Sequence, residues 1–194
     1  MSAALTLTGL SCIRGDRVLF TGLDLSLEPG GAALVTGPNG AGKTSLLRLI
    51  AGLLSAHSGE VSMSGSMAFL AEQSALDREL PLKQALGYWA QLDRREPAEI
   101  DAALDAMALE LIADVPVRML STGQLKRAAL ARIILSGADI WLLDEPVNGL
   151  DTDSRARLES AIANHRARGG IALVATHQPV DLPDAVPVTI GEAA

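Results

Sequence analysis

Aromatic residues are nearly missing from this sequence: two Trp, two Phe and one Tyr make up 3% of 194 positions. That removes the ring platforms on which proteins commonly stack single-stranded nucleic acid. Positive charge is short as well, with 16 Lys and Arg against 23 Asp and Glu and a net charge of -7, the wrong sign for a protein whose main work is to neutralise a phosphate backbone. Direct binding of nucleic acid is therefore not expected. Cys12 is the one cysteine, which excludes an intrachain disulfide, a Cys-based zinc site and a Cys-x-x-Cys-His haem attachment; its plain reading is a small buried hydrophobe. His57, His165 and His177 are too scattered to suggest a metal site. No apolar run approaches the ~20 residues of a membrane span, because the best of them, from Ser45 to Leu54, is short and contains Arg48. The basic start and apolar stretch of a secretory leader are lacking too, so the expectation is a chain that stays in the cytosol.

What is abundant is aliphatic. Hydrophobic residues reach 48% and the mean hydropathy is +0.27, an excess carried by Ala, Leu, Ile and Val. The length fits one compact domain over 1–194, since domains commonly run to roughly 100–200 residues. Leu5, Leu7 and Leu10 interleaved with threonines, and Leu23, Leu25 and Leu27 interleaved with polar residues, have the period of two of half-buried strands, with Arg14-Gly15-Asp16-Arg17 as the turn between them. Ala32 to Val35 reads as a strand buried on both faces, followed by a glycine-rich loop and the helical pattern of Leu46, Leu47, Leu49 and Ile50. Short strands at Glu60–Met63 and Ser66–Leu70 flank the turn signal Ser64-Gly65. A helical pattern fills Leu80 to Leu120, with Pro81 and Pro97 where helices start, and approximately 74–122 forms a helical subdomain. A helix over Leu125–Leu135, a buried strand at Ile140–Leu143, a helix from Ser154 to Arg168 and a strand at Ile171–Ala175 complete a βα rhythm. The expected fold is α/β: a mostly parallel sheet flanked by helices, with an N-terminal antiparallel β portion and the helical subdomain. Gly191 to Ala194 reads as a frayed end.

Gly37-Pro38-Asn39-Gly40-Ala41-Gly42-Lys43-Thr44 matches G-x-x-x-x-G-K-[ST] without a mismatch, between a strand and a helix as the motif requires. Its glycines let successive N–H groups turn inward onto phosphate oxygens. Lys43 would reach the β- and γ-phosphates and Thr44 would offer its hydroxyl to Mg²⁺, so the ligand is a nucleoside triphosphate with its metal. Ile140-Trp141-Leu142-Leu143-Asp144-Glu145 puts two carboxylates at the end of an apolar strand, where open α/β sheets hold ligands. Asp144 is placed to hold Mg²⁺ and Glu145 to take a proton from the attacking water.

With these motifs in hand, the chain resembles the nucleotide-binding subunits of ABC transporters over nearly its whole length, which implies a P-loop NTPase of ABC type that binds and hydrolyses ATP with Mg²⁺. Leu120-Ser121-Thr122-Gly123-Gln124 looks like that family's LSGGQ signature with Thr122 for its first glycine, and Leu125 to Arg132 continues the family pattern. The resemblance makes Gln73 the glutamine that contacts Mg²⁺ and the attacking water, Asn148-Gly149-Leu150-Asp151 the D-loop, and His177 the histidine that contacts the γ-phosphate. It also implies a homodimer with ATP at the interface, in which Ser121, Gly123 and Gln124 of one subunit complete the site of the other. Where the family has an aromatic residue that stacks on adenine, this sequence has Arg14, whose guanidinium can also stack on a base.

Within the family, the short form and the segments Ala71 to Leu76, Leu86 to Ala90, Trp141 to Pro146 and Thr176 to Pro179 look most like the haem-exporter ATPases of cytochrome c maturation, although Ala71-Glu72 stand where those have Gly-His. That branch implies integral membrane partners, a peripheral position on the cytoplasmic face of a bacterial inner membrane, and ATP-driven haem delivery or release of a haem chaperone. Tyr88 and Trp89 read either as helical core or as part of the surface that meets the partner. An ABC ATPase for a lipid, peptide or drug, and a soluble non-transport ABC ATPase, stay open as alternatives.

Overall fold

The computed structural model describes residues 3–71 and 74–191. Two long strands open the chain, β1 (Ala4–Arg14) and β2 (Arg17–Leu27), paired antiparallel with Leu5 opposite Leu27, Leu7 opposite Leu25 and Arg14 opposite Arg17. The leucine alternation is what fixes this register: Leu5, Leu7, Leu25 and Leu27 all turn to the core, and a slip by one residue would expose the whole set. Then comes β3 (Ala32–Thr36), followed by the glycine loop and α1 (Lys43–Ile50).

Ser64-Gly65 does not close a hairpin. The strand before it, β4 (Ser58–Ser64), pairs antiparallel with β1, whereas the strand after it, β5 (Met67–Leu70), pairs in parallel with β6 (Ile140–Asp144). Gly65 is therefore the point where the chain changes sheets; its positive φ of 106° suits glycine there. The two sheets run β2-β1-β4 and β5-β6-β7-β3-β8, with β7 at Ile171–Ala175 and β8 at Val186–Thr189. The expected architecture of a mostly parallel sheet with an antiparallel β portion is borne out. Every residue of β6 and β7 is buried, as a central parallel strand covered on both faces should be. β8, which the sequence pattern did not single out, adds an edge strand whose Pro187 is tolerated at the edge of a sheet.

Between β5 and the later helices the helical pattern resolves into α2 (Leu82–Leu92), α3 (Pro97–Ala106) and two 3₁₀ turns at Glu110–Ile112 and Val117–Met119. Pro81 caps α2, and Pro97 opens α3 with a reciprocal Glu96–Glu99 capping box. α4 (Thr122–Ser136) and α5 (Thr152–Ala167) complete the helices. Trp141 of β6 stacks flat on His165 of α5, ring centroids 4.0 Å apart, while the His165 Nε2 lies 3.1 Å from the Ile171 carbonyl oxygen. Burial is the first cause that pulls the His165 pKa below its ordinary 6.5, and the charge of Arg168 adds to it; Asp139 and the Ile171 hydrogen bond pull the other way.

A linkage follows. The native state keeps His165 neutral at a pH where the unfolded chain takes up a proton, so stability is full above about 6.5 and falls as the pH drops below it. Urea midpoints measured from pH 8 to pH 5.5 should decline, and the decline should flatten in His165→Phe, which keeps the stack on Trp141. An equal slope in both proteins would show that His165 is not the group responsible.

Candidate active site

The loop between β3 and α1 is shaped by three glycines with positive φ, Gly37 at 146°, Gly40 at 78° and Gly42 at 116°. Gly37 is obligatory on a second ground, because a Cβ there would run into the Ile190 carbonyl oxygen. That oxygen belongs to the residue just past β8, so an edge strand silent in the sequence presses on the phosphate loop from outside. From the other side comes the β1–β2 hairpin. Leu19 packs where a Cβ on Gly42 would go, 3.0 Å from its own Cβ, and the Arg17 guanidinium stands 3.9 Å from the corresponding point on Gly40. Arg14 is exposed at the tip of that hairpin, opposite Arg17. Strand alternation alone gives no hint that Arg17 and Leu19 approach the loop.

Lys43 is only 6% exposed. Its ammonium donates to the carbonyls of Gly37 at 2.9 Å and Pro38 at 3.4 Å and lies 3.5 Å from Glu145 Oε1. Glu145 sits just beyond β6 in the left-handed backbone region, φ 44°, a conformation that costs a non-glycine residue roughly 1–2 kcal/mol and here aims its carboxylate back over the loop. The main chain pays nothing further in unmet polarity, since Glu145 N–H donates to the Ala175 carbonyl at 2.8 Å. His177, after β7, meets the same carboxylate twice: Nδ1 lies 2.9 Å from Oε1, and its backbone N–H donates to Oε2 at 3.4 Å. Burial works to raise the Glu145 carboxyl, but the hydrogen bonds and charge of His177 outweigh it and hold the group below the ordinary glutamate value. Lys43, Glu145 and His177, far apart in the sequence, thus share one constellation.

Asp144, at the last position of β6, is buried. Desolvation pushes its carboxyl above the ordinary aspartate value, against a hydrogen bond from the Thr44 hydroxyl and the positive charges of Lys126 and Arg48. Its Oδ1 has no hydrogen-bond partner among the described residues. A buried carboxylate oxygen left open beside a threonine hydroxyl is a hard-oxygen donor set of the kind Mg²⁺ takes, with waters and phosphate oxygens filling the remaining positions. Two clefts meet at Thr44 and Glu145. One, about 270 Å³, lies between Leu19, Asn39, Gly42 and Lys43; the other, about 350 Å³, is walled by Ala71, Thr122, Lys126, Asp144 and Asn148. A cavity of about 700 Å³ beside Asp139, Trp141 and His165 lies at the opposite ends of these strands, away from the carboxyl ends where parallel sheets carry their ligands.

The other residues singled out by sequence divide. Ser121 caps α4, its hydroxyl accepting from Gln124 N–H at 3.3 Å while the Gln124 side chain accepts from Ser121 N–H at 2.8 Å; Gly123 leaves only 3.2 Å between its missing Cβ and the Gly149 carbonyl oxygen. Asp151 caps α5 through Ser154 N–H at 2.8 Å, and the Ser154 hydroxyl together with that N–H holds its carboxyl below the ordinary value. Ser121, Gly123, Gln124 and Asp151 line neither cleft. Gln73 lies outside the described residues. Tyr88 and Trp89 part company: Tyr88 is 63% exposed, while Trp89 is half-buried beneath the Arg132 guanidinium, 4.8 Å from the ring centroid, and donates its indole N–H to the Ala75 carbonyl at 2.7 Å.

Comparison with known proteins agrees with this geometry. The ABC transporter family model matches residues 20–148. The chain is 53% identical to the cytochrome c biogenesis ATP-binding export protein CcmA of Sphingopyxis alaskensis, over the full length of both, and 52% identical to the protein of the same name from Zymomonas mobilis, over 94% of this chain and 82% of that one. Among solved structures it superimposes on an ABC transporter ATP-binding protein of Pyrococcus furiosus with a TM-score of 0.83 at 26% identity, covering 96% of each chain.

Proposed function

We propose, because this chain belongs to the ABC transporter family and is an ATPase of it, that its hydrolysis of ATP drives a step of haem delivery or haem-chaperone release in the making of c-type cytochromes. The observation that carries the hydrolytic half is the meeting of Lys43, Glu145 and His177 on one carboxylate beside the open oxygen of Asp144. The biogenesis half comes from relatives about half identical along most or all of their length that carry cytochrome c biogenesis in their name.

In this reading residues 1–194 form one ABC ATPase domain with a helical subdomain near 74–122. The N–H groups of the loop from Gly37 to Thr44 and the N-terminus of α1 hold the phosphates, Lys43 shifts from its own loop carbonyls onto phosphate oxygens, and Arg14 stacks on the base from the hairpin tip. Thr44, Asp144 and Gln73 hold Mg²⁺, which neutralises phosphate charge when bound. Glu145, kept ionised, accepts the proton of the attacking water, and His177 fixes the carboxylate and faces the γ-phosphate. Ser121, Gly123 and Gln124 point to a second copy, since they lie on an exposed helix start outside their own subunit's clefts; Asp151 belongs to the same interface. Membership of a transporter family implies membrane subunits; no helix among the described residues of this chain is long and apolar enough to cross a membrane. Tyr88 and Leu92, one turn apart on α2 and 63% and 62% exposed, give that helix an apolar outer face suited to such a partner. The protein would then sit on the cytoplasmic face of the inner membrane.

Deletion of the gene with haem staining of periplasmic c-type cytochromes tests the role. Loss of stained cytochromes, restored by the wild-type chain and not by Glu145→Gln, is the expected outcome. Normal cytochromes in the deletion strain would leave an ABC ATPase with another cargo.

A further inference from the structure

We infer that Gln178 is a positioning residue for ATP hydrolysis, locking the loop that carries His177 to the turn that follows Glu145. The inference rests on the assignment of Glu145 and His177 above. The His177 side chain is 42% exposed, yet it stands within hydrogen-bond reach of Glu145, so something other than packing must hold it. The next residue supplies the hold. Gln178 Nε2 donates to Asn148 Oδ1 at 2.7 Å, and Gln178 Oε1 accepts from Arg155 Nη2 at 2.8 Å. Arg155 also donates to the Pro179 carbonyl at 3.3 Å, and Gln178 N–H donates to the Thr176 hydroxyl at 3.0 Å. Thr176, 1% exposed, is itself anchored through its N–H to the Val35 carbonyl of β3 at 3.0 Å.

Asn148 N–H in turn donates to the Glu145 carbonyl at 3.3 Å. The contacts therefore close a ring: Glu145 carboxylate to His177, along the chain to Gln178, across to Asn148, and back to the Glu145 main chain. Both ends of Glu145 are fixed by it, the backbone in a left-handed conformation that needs support and the carboxylate over the phosphate loop. Residue type matters at the junction. Arg155 can only donate, and Asn148 in its present orientation accepts, so the bridge between them needs one acceptor and one donor on the same short group, which an amide provides. Because α5 begins at Thr152 and carries Arg155, any displacement of the segment from Asn148 to Asp151 is transmitted to His177 through this amide.

The phosphate loop is built from β3 and α1 and has no part in the ring, so the effect should fall on turnover rather than on binding. In the full-length protein with MgATP, Gln178→Met, similar in shape but unable to bridge, is expected to lower kcat about tenfold, since small misplacements of catalytic groups carry large penalties, with KM for ATP within about twofold. Asn148→Leu should produce a similar loss, and the double variant should be little worse than either alone. Gln178→Glu should recover most of the rate, because it still accepts from Arg155 and the Asn148 amide can turn to donate to it. Wild-type kcat in Gln178→Met, additive losses in the double variant, or a Gln178→Glu protein as slow as Gln178→Met would each overturn the inference. Glu145→Gln run alongside separates the two levels: full activity there removes the assignment of the base, whereas full activity in Gln178→Met alone removes only the positioning role.

Discussion

Glu145→Gln is expected to slow ATP hydrolysis by roughly 10²–10⁴-fold, the usual contribution of a positioned general base, while ATP binding survives. The amide keeps the shape of the carboxylate and an acceptor for Lys43 and His177, so the constellation stays assembled, but it cannot take the proton of water. Two features of the wild-type group make the loss large. Hydrogen bonds and charge from His177 overcome burial and keep the carboxyl ionised, and the backbone twist at φ 44° leaves it little freedom to be replaced by a neighbour. Because the nucleotide is bound but not consumed, the variant should accumulate as an ATP-loaded dimer. Phosphate release and size-exclusion chromatography with and without MgATP measure the two halves, and near-wild-type phosphate release would remove Glu145 from the role of base.

Asp144→Asn should abolish most activity for a different reason, and its effect on stability should have the opposite sign to that of an ordinary core substitution. Asp144 is buried and its carboxyl is raised, first by desolvation and further by the negative charge of Glu145. A folded-state pKa above the unfolded one means that the native protein holds its proton longer, so the ionised group destabilises the fold as pH rises past the ordinary aspartate value of 3.8. The open Oδ1 is where that cost is concentrated. Asparagine removes the buried charge and retains an oxygen for the Thr44 hydroxyl. Without nucleotide and metal, the melting temperature of Asp144→Asn at neutral pH should equal or exceed that of the wild type. Hydrolysis should nevertheless fall by about 10²–10³-fold, since metal neutralisation of transferring phosphate is worth several kcal/mol, and the added thermal stabilisation that Mg²⁺ gives the ATP complex should vanish. A lower melting temperature without ligand would overturn the cost assigned to the buried charge, and an undiminished Mg²⁺ effect would show that Asp144 does not hold the metal.

These two neighbours show how far residue patterns reach. The phosphate loop and the Asp144-Glu145 pair were legible because each is contiguous: a glycine turn between a strand and a helix, and acids ending an apolar run. The elements that support them were less so. β8 is a short edge strand containing Pro187, with three of its four residues exposed, too weak a pattern to announce itself, yet Ile190 just beyond it is what forbids a side chain on Gly37. Ser64-Gly65 is a genuine turn signal, but local chemistry cannot say whether a turn returns a strand to its own sheet or hands the chain to another. The run from Leu80 to Leu120 reads as helical throughout because 3₁₀ turns and short helices share apolar spacing; its division at two prolines and two 3₁₀ segments depends on how each piece packs. Tyr88 and Trp89, adjacent and similar in composition, differ in fate because successive helix positions point about 100° apart, and only Trp89 finds the Arg132 guanidinium.

Local residue patterns set the chemistry on offer. Lysine and threonine at the end of a glycine loop, two acids at the end of a strand and a serine-capped helix are local motifs, set by backbone conformation and residue type within a few positions. The scarcity of aromatics and of positive charge, which first excluded nucleic acid, is compatible with a core of aliphatic strands that needs few rings. Tertiary structure alone decided which of these groups meet. It brought His177 and Lys43 to one carboxylate, left Asp144 with an unpartnered buried oxygen, kept Ser121 and Gly123 out of the lining of their own clefts, and joined Gln178 to Asn148. The physical reason is that hydrogen bonds and charge act over a few ångströms, and in a parallel sheet the residues that share those ångströms come from strand ends separated by whole crossover helices.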